Sequence, residues 1–162
     1  MPRSIDIIRQ VTAALEHAFQ QGIVHRDIKP SNLLIRRDGA VKLSDMGLAR
    51  STEDDEQSGI TRAGTTVGTV DYIAPEQARD SKAADVRSDI YSLGVTCYHL
   101  LAGRPPFRGE TAISVAVQHV NKTPDSLVEQ RTDLPRRLCE LVHRMMAKQP
   151  DDRLPDASTL LE

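Results

Sequence analysis

Residues Ser88 to Gly103, "SDIYSLGVTCYHLLAG", are apolar on nearly every side of a helical projection rather than along one stripe. A helix with no polar face must be enclosed by other elements, so the spacing predicts a central core helix over about residues 86–102, running from Asp85 to Gly103. A chain of 162 residues is long enough to wrap one such helix and too short for two ordinary domains. Asp89 is the one carboxylate in this segment, and inside a core it requires hydrogen-bond partners.

The surrounding pattern supplies the wrapping. From Ile5 the positions Ile5, Ile8, Thr12, Leu15 and Phe19, flanked by Ile7, Val11, Ala14 and Ala18, step by three and four, which predicts an amphipathic helix closed by a left-handed Gly22. "NLLIRRDGAVKLSD" reads as a hairpin over residues 33–44 turning at Asp38 and Gly39, a dipeptide suited to positive backbone angles. Further helices are expected from Thr111 to Val120 and from Pro135 to Lys148, the latter with a core stripe of Leu138, Leu141, Val142, Met145 and Met146. The last residues begin another helix. Residues Ser51 to Gly68 hold an acidic run, three glycines, four threonines and few large apolar groups, so they are expected to be mobile, and the run Glu53 to Glu56 to be solvated.

Charge and composition narrow the function. The 21 lysines and arginines against 23 acids leave a net charge of -2, without the basic excess that nucleic acid or an anionic membrane selects. Cys97 and Cys139 form no metal-type or redox-type pair and are expected to be buried thiols in a reducing compartment. The longest apolar stretches fall short of a bilayer span, so this segment is expected to be cytoplasmic and without membrane contact.

One short stretch does not fit a purely structural account. "HRDIKPSN", His25 to Asn32, concentrates a histidine, an arginine, an aspartate, a lysine and an asparagine just before an apolar run. A polar turn could hold them, but an acid, a cation and an amide on one loop can also manage a phosphate and its metal. Followed by "DMG" (Asp45, Met46, Gly47) and "GTVDYIAPEQ", this stretch resembles the signature set of the protein kinase family. Alone, "DMG" would read as a turn; its place after the loop and hairpin gives it weight.

The resemblance implies a mainly α fold, the helical C-terminal lobe of a kinase with a small β-hairpin at the catalytic loop, covering residues 1–162 as a partial kinase domain. It places the catalytic loop at 25–32 and the activation segment at 45–76. It implies a serine/threonine kinase of bacterial type that uses ATP and Mg2+ on protein substrates. Asp27 would accept the substrate hydroxyl proton and Lys29 would steady the transferring phosphate. Asn32 and Asp45, thirteen residues apart and brought together by the hairpin, would hold magnesium. Leu34 would lie beneath the adenine, although a core role suits it equally, and Met46 would stack with His25. The family usually has Phe where Met46 stands, which keeps an apolar group there.

The same resemblance gives Thr69 a place on the substrate shelf. Glu76 would pair with Arg153, and Asp89 would bind backbone groups of the catalytic loop. Arg26 would grip a phosphorylated loop residue, with Thr61, Thr65 and Thr66 the candidates. A small-molecule phosphotransferase of related fold is the lesser enzyme reading, opposed by Lys29, Thr69 and the Pro75-Glu76 pair. A non-catalytic, pseudokinase-like binding module is the reading from another class. No lysine precedes His25 and no G-x-G-x-x-G occurs, so the family's phosphate-covering elements lie outside these residues. The expectation is therefore a fragment, either a truncated reading frame or part of a longer parent that could itself be membrane-anchored, with weak or no catalysis by this chain alone.

Overall fold

A computed structural model describes residues 2–45, 50–51 and 70–161. At its centre runs α3 (Val86–Ala102), in which Ile90, Tyr91, Leu93, Val95, Cys97 and Tyr98 are all buried. Asp85 caps its start by accepting from Arg87 N at 2.8 Å, while Ser88 Oγ accepts from Asp85 N at 3.2 Å. Gly103 closes it at φ 73°, in the left-handed region, with its N–H on the His99 carbonyl at 2.9 Å.

Other helices enclose it, as its apolar circumference requires. These are α1 (Pro2–Gln20), α5 (Leu127–Gln130) and α6 (Arg136–Met145); α7 (Ala157–Leu161) packs on α1. The approach of α6 is close enough to demand glycine at position 94. A Cβ there would lie 2.8 Å from Met145 Cβ and 3.0 Å from Met146 Cγ. Gly94→Ala is therefore expected to lower the denaturation midpoint: overpacking of about 1–3 kcal/mol outweighs the helix-propensity gain of about 1 kcal/mol.

The stripe on α1 is buried only in its middle. Val11, Thr12 and Leu15 are buried, Ile7 and Ile8 partly so, whereas Ile5 and Phe19 at the two ends are 46% and 40% exposed. Thr12, the least apolar member, is tolerated inside because its hydroxyl donates to the Ile8 carbonyl at 2.8 Å. Gly22 ends the helix at φ 70°.

Two small sheets follow. β1 (Ile23–Val24) pairs antiparallel with β4 (Arg50–Ser51), a pairing too short to leave a sequence signal. It engages Ser51, the first residue of the stretch expected to be mobile; the rest of that stretch lies outside the described residues. β2 (Leu33–Ile35) and β3 (Val41–Leu43) form the expected hairpin, in the register Leu33↔Leu43 and Ile35↔Val41. Its turn differs from the Asp38-Gly39 expectation, since only Gly39 has positive φ, at 88°. Gly39 N donates to Arg36 O at 3.0 Å and Arg36 N to Ala40 O at 2.8 Å, giving a longer loop in which one left-handed residue suffices.

α2 (Pro75–Arg79) and α4 (Ala112–Asn121) complete the helices, the latter capped by Thr111. α6 stops three residues short of the expected Lys148. Its last turn tightens, with Met146 N on both Val142 O and His143 O, and Lys148 leaves the helix to donate to the His119 carbonyl at 2.8 Å. Cys97 and Cys139 are buried and unpaired. Among the described residues no helix is long and apolar enough to cross a membrane.

Candidate functional site

The polar stretch between β1 and β2 is hung on the central helix. Both oxygens of Asp89 accept from its backbone, His25 N at 2.8 Å and Arg26 N at 2.7 Å. Asp89 is 2% exposed, and burial pushes its carboxyl up to about 7 while the two N–H donors pull it back. The sign follows: a folded value above the unfolded one favours folding most at acid pH, and that contribution is lost as pH rises from about 4 to about 7.

Arg26 is held at φ 68°, and Asp45 at φ 67°; they are the non-glycine residues with positive φ among those described. Both flank the same site, and such strained conformations persist where surrounding bonds over-determine them. Beyond Arg26 the Asp27 side chain, 9% exposed, turns inward. Its Oδ2 receives Lys29 Nζ at 2.7 Å and Asn32 Nδ2 at 3.0 Å.

Asn32 stands in a 3₁₀ turn, Pro30–Asn32, opened by a proline whose missing N–H costs nothing there. Its Nδ2 also donates to the Asp27 carbonyl at 2.8 Å, so its amide oxygen faces away from Asp27. The hairpin then returns the chain: Ser44 N and Oγ donate to Asn32 O at 2.9 and 3.3 Å, and Asp45 follows with an exposed carboxylate.

His25 joins these pieces from beneath. Its Nδ1 accepts from Asp27 N and its Nε2 faces the Ser44 carbonyl, each at 3.3 Å, which assigns the neutral ring with hydrogen on Nε2. Burial lowers its pKa, against the opposing influence of the Ser44 carbonyl and of Asp27 and Asp45, both close enough to act on the ring. The segments 25–32 and 44–45 thus converge at one place.

Leu34 is 54% exposed on β2, so it is not a core residue. Met46, Gly47, Thr61, Thr65, Thr66 and Thr69 lie outside the described residues. Arg26 is half-buried, with Nη2 3.5 Å from the Ala84 carbonyl.

Below the site, Glu76 and Arg153 meet in a buried bidentate pair, both contacts at 2.7 Å. Arg153 Nε and both Nη groups also donate to the carbonyls of Ala147, Arg87 and Lys148, which satisfies its five N–H groups. Ser88 Oγ donates to Glu76 at 2.7 Å. Residues 71–73, just before this pair, are held by contacts that sequence reasoning missed. Tyr72 OH meets His99 Nδ1 at 2.7 Å, Ser92 Oγ donates to Tyr72 O at 2.7 Å, and His119 Nε2 donates to Asp71 O at 3.0 Å. Burial drives His119 down to about 3, so this link is made by a neutral ring. These partners lie 20 to 48 residues apart in the chain, beyond any local spacing signal.

Comparison with known proteins bears on the same residues. Residues 3–162 match the family model described as "Protein kinase domain". The chain is 40% identical over 158 residues to serine/threonine-protein kinase PknB of Mycolicibacterium smegmatis, covering 98% of this chain and 25% of that protein. It is 38% identical to PknB of Mycobacterium leprae, with the same coverage, and 42% identical to a probable serine/threonine-protein kinase of Corynebacterium efficiens, over 95% of this chain and 24% of that one. The chain therefore spans about a quarter of the length of the curated relatives it matches. A family match over almost every residue, on a mainly helical lobe that gathers Asp27, Lys29 and Asn32 on one loop, establishes that the chain belongs to the protein kinase family.

Proposed function

We propose that this chain carries the catalytic loop of a serine/threonine protein kinase that transfers the ATP γ-phosphoryl group to protein hydroxyls with Mg2+. The observation that carries the reading is the Asp27 carboxylate, whose Oδ2 receives both Lys29 and Asn32. Oδ1 is the oxygen that would accept the substrate hydroxyl proton, and the two bonds on Oδ2 aim it. Lys29 would follow a phosphate oxygen once its bond to Asp27 loosens.

The residues present fit magnesium. The Asn32 amide oxygen and the Asp45 carboxylate are hard oxygen donors, and Mg2+ takes one or two protein ligands while keeping waters and phosphate oxygens. When bound, the ion supplies charge neutralisation to the phosphates. Leu34, exposed on β2, offers an apolar surface to the base.

Regulation belongs to the same reading. Phosphorylation of Thr61, Thr65 or Thr66 would give Arg26 a phosphate to bind and order the segment bearing Thr69. Mass spectrometry of active protein is expected to find at least one of the three modified; all three unmodified would contradict it. The activity would be cytoplasmic, where ATP is available.

A phosphotransfer assay tests the proposal. The purified 162-residue chain, with Mg-ATP and a Ser/Thr-containing protein, is expected to turn over far below the 1–100 per second or so of kinases, because these residues supply no glycine-rich loop or strand lysine to align the phosphates. The same residues within a complete two-lobed kinase are expected to be active. Kinase-like turnover by the 162 residues alone would refute the first expectation, and inactivity of the complete enzyme the reading itself.

A further inference from the structure

Gln77, the residue after the ion-paired Glu76, turns its side chain toward the catalytic loop rather than toward solvent. Its Nε2 donates to the Arg26 carbonyl at 2.9 Å. That carbonyl belongs to the peptide whose N–H is Asp27's, and this N–H in turn donates to His25 Nδ1. The peptide plane leading into Asp27 is thus fixed at its oxygen by Gln77 and at its nitrogen by His25. On the other side of Arg26, the preceding peptide N–H is fixed by Asp89. Together these bonds account for a left-handed arginine, a conformation an L-residue keeps only under such constraint.

A second observation points to the same pair. Arg26 Nε, a donor, and Gln77 Oε1, an acceptor, are buried and have no hydrogen-bond partner among the described residues. Arg26 and Gln77 both line a cavity of about 50 Å³, bounded also by Asp27, Ile28, Tyr72 and Ser92. That volume admits at least one water, and water is the ligand that can accept from one orphan and donate to the other.

We propose that Gln77 is a positioning residue for the catalytic loop, holding Arg26 directly through Nε2 and, through Oε1, by a buried water that accepts from Arg26 Nε–H. The consequence for catalysis rests on the reading of Asp27 as the base; the structural claim does not. Gln77 bonds the peptide that leads into Asp27, at its Arg26 carbonyl. It acts by setting the direction from which the Asp27 side chain leaves the backbone.

The test uses the isotope-labelled 162-residue protein in solution. In the wild type, Arg26 Nε–H is expected to exchange about tenfold more slowly than that of exposed Arg36 and to show a cross-relaxation signal to a long-lived water. Gln77→Met is expected to abolish that signal and speed exchange of the Asp27 and Ile28 amides roughly five- to tenfold, leaving α3 amides unchanged. Gln77→Glu keeps an acceptor for the water but cannot donate to the Arg26 carbonyl, so the water signal stays while amide protection falls. A wild type without the water signal, or Gln77→Met with unaltered amide exchange, overturns the proposal. If Gln77→Met does not fold, the wild-type signal and the Gln77→Glu exchange decide in the same way. None of these readouts involves ATP, so they stand or fall apart from the kinase reading. In a complete active kinase, Gln77→Met is expected to lower kcat with KM for ATP unchanged; an unchanged kcat despite a loosened loop would overturn the positioning role.

Discussion

Asp27→Asn, made in a complete kinase that carries this lobe, is expected to lower kcat about a hundredfold to ten-thousandfold, the range spanned by loss of a general base. The substitution isolates chemistry from structure. Asparagine keeps the size of aspartate, and its amide oxygen can still accept from Lys29 and Asn32, which now bond Oδ2 at 2.7 and 3.0 Å. The backbone bonds from His25 and Arg26 to Asp89 are unaffected. What is lost is a group able to take a proton. Melting temperature and KM for ATP are therefore expected to stay near wild type while kcat falls. Steady-state kinetics decide the matter, and a loss under about tenfold would remove Asp27 from the role of base.

The second large effect is on stability. Arg153→Met leaves the Glu76 carboxylate in a site built for a guanidinium, with Ser88 as its other side-chain donor. Breaking a buried pair from one side costs about 3–5 kcal/mol, which for a chain of this size lowers Tm by roughly 6–20 °C. Replacing both partners, in Glu76→Gln with Arg153→Met, is expected to recover part of that loss, since no uncompensated charge remains. Acid should erase the difference. Burial alone would raise the Glu76 carboxyl, but the bonds from Arg153 and Ser88 prevail and hold it below the ordinary value. A folded value below the unfolded one stabilises fully above the unfolded value of about 4.5 and is lost as pH falls through the folded value. The stability gap between wild type and Arg153→Met is thus expected to narrow below about pH 4.5 in denaturation experiments.

The parts of this molecule legible in its sequence are those governed by local rules. The central helix α3 could be read because its apolar circumference leaves no other place for it, and Asp85 and Gly103 mark its ends. The loop bearing Asp27, Lys29 and Asn32 could be read because their types and spacing occur together within one turn of chain. The hairpin was legible as a hairpin, but its loop was not, because one left-handed residue at Gly39 and two left-handed residues leave the same Asp-Gly trace. Helices α2 and α5, of five and four residues, are too short to show a period of 3.6.

What sequence could not show was contact across the fold. Gln77 reaches back 51 residues to Arg26, and His119 reaches 48 residues to Asp71, with nothing in either local pattern to announce a partner. Ile5 and Phe19 continue the α1 stripe in sequence, yet the neighbours of that helix cover only its middle.

The account rests on Asp27, Asn32 and Asp45 serving one metal-nucleotide site, although Asn32 and Asp45 lie at opposite ends of a hairpin. A crystal structure of a complete kinase carrying this lobe, with Mg2+ and a non-hydrolysable ATP analogue, tests this directly. The prediction is a magnesium ion about 2.1 Å from both the Asn32 amide oxygen and an Asp45 carboxylate oxygen, with Asp27 facing the terminal phosphate. Magnesium and phosphates bound elsewhere, with the Asp45 carboxylate directed into bulk water, would contradict it.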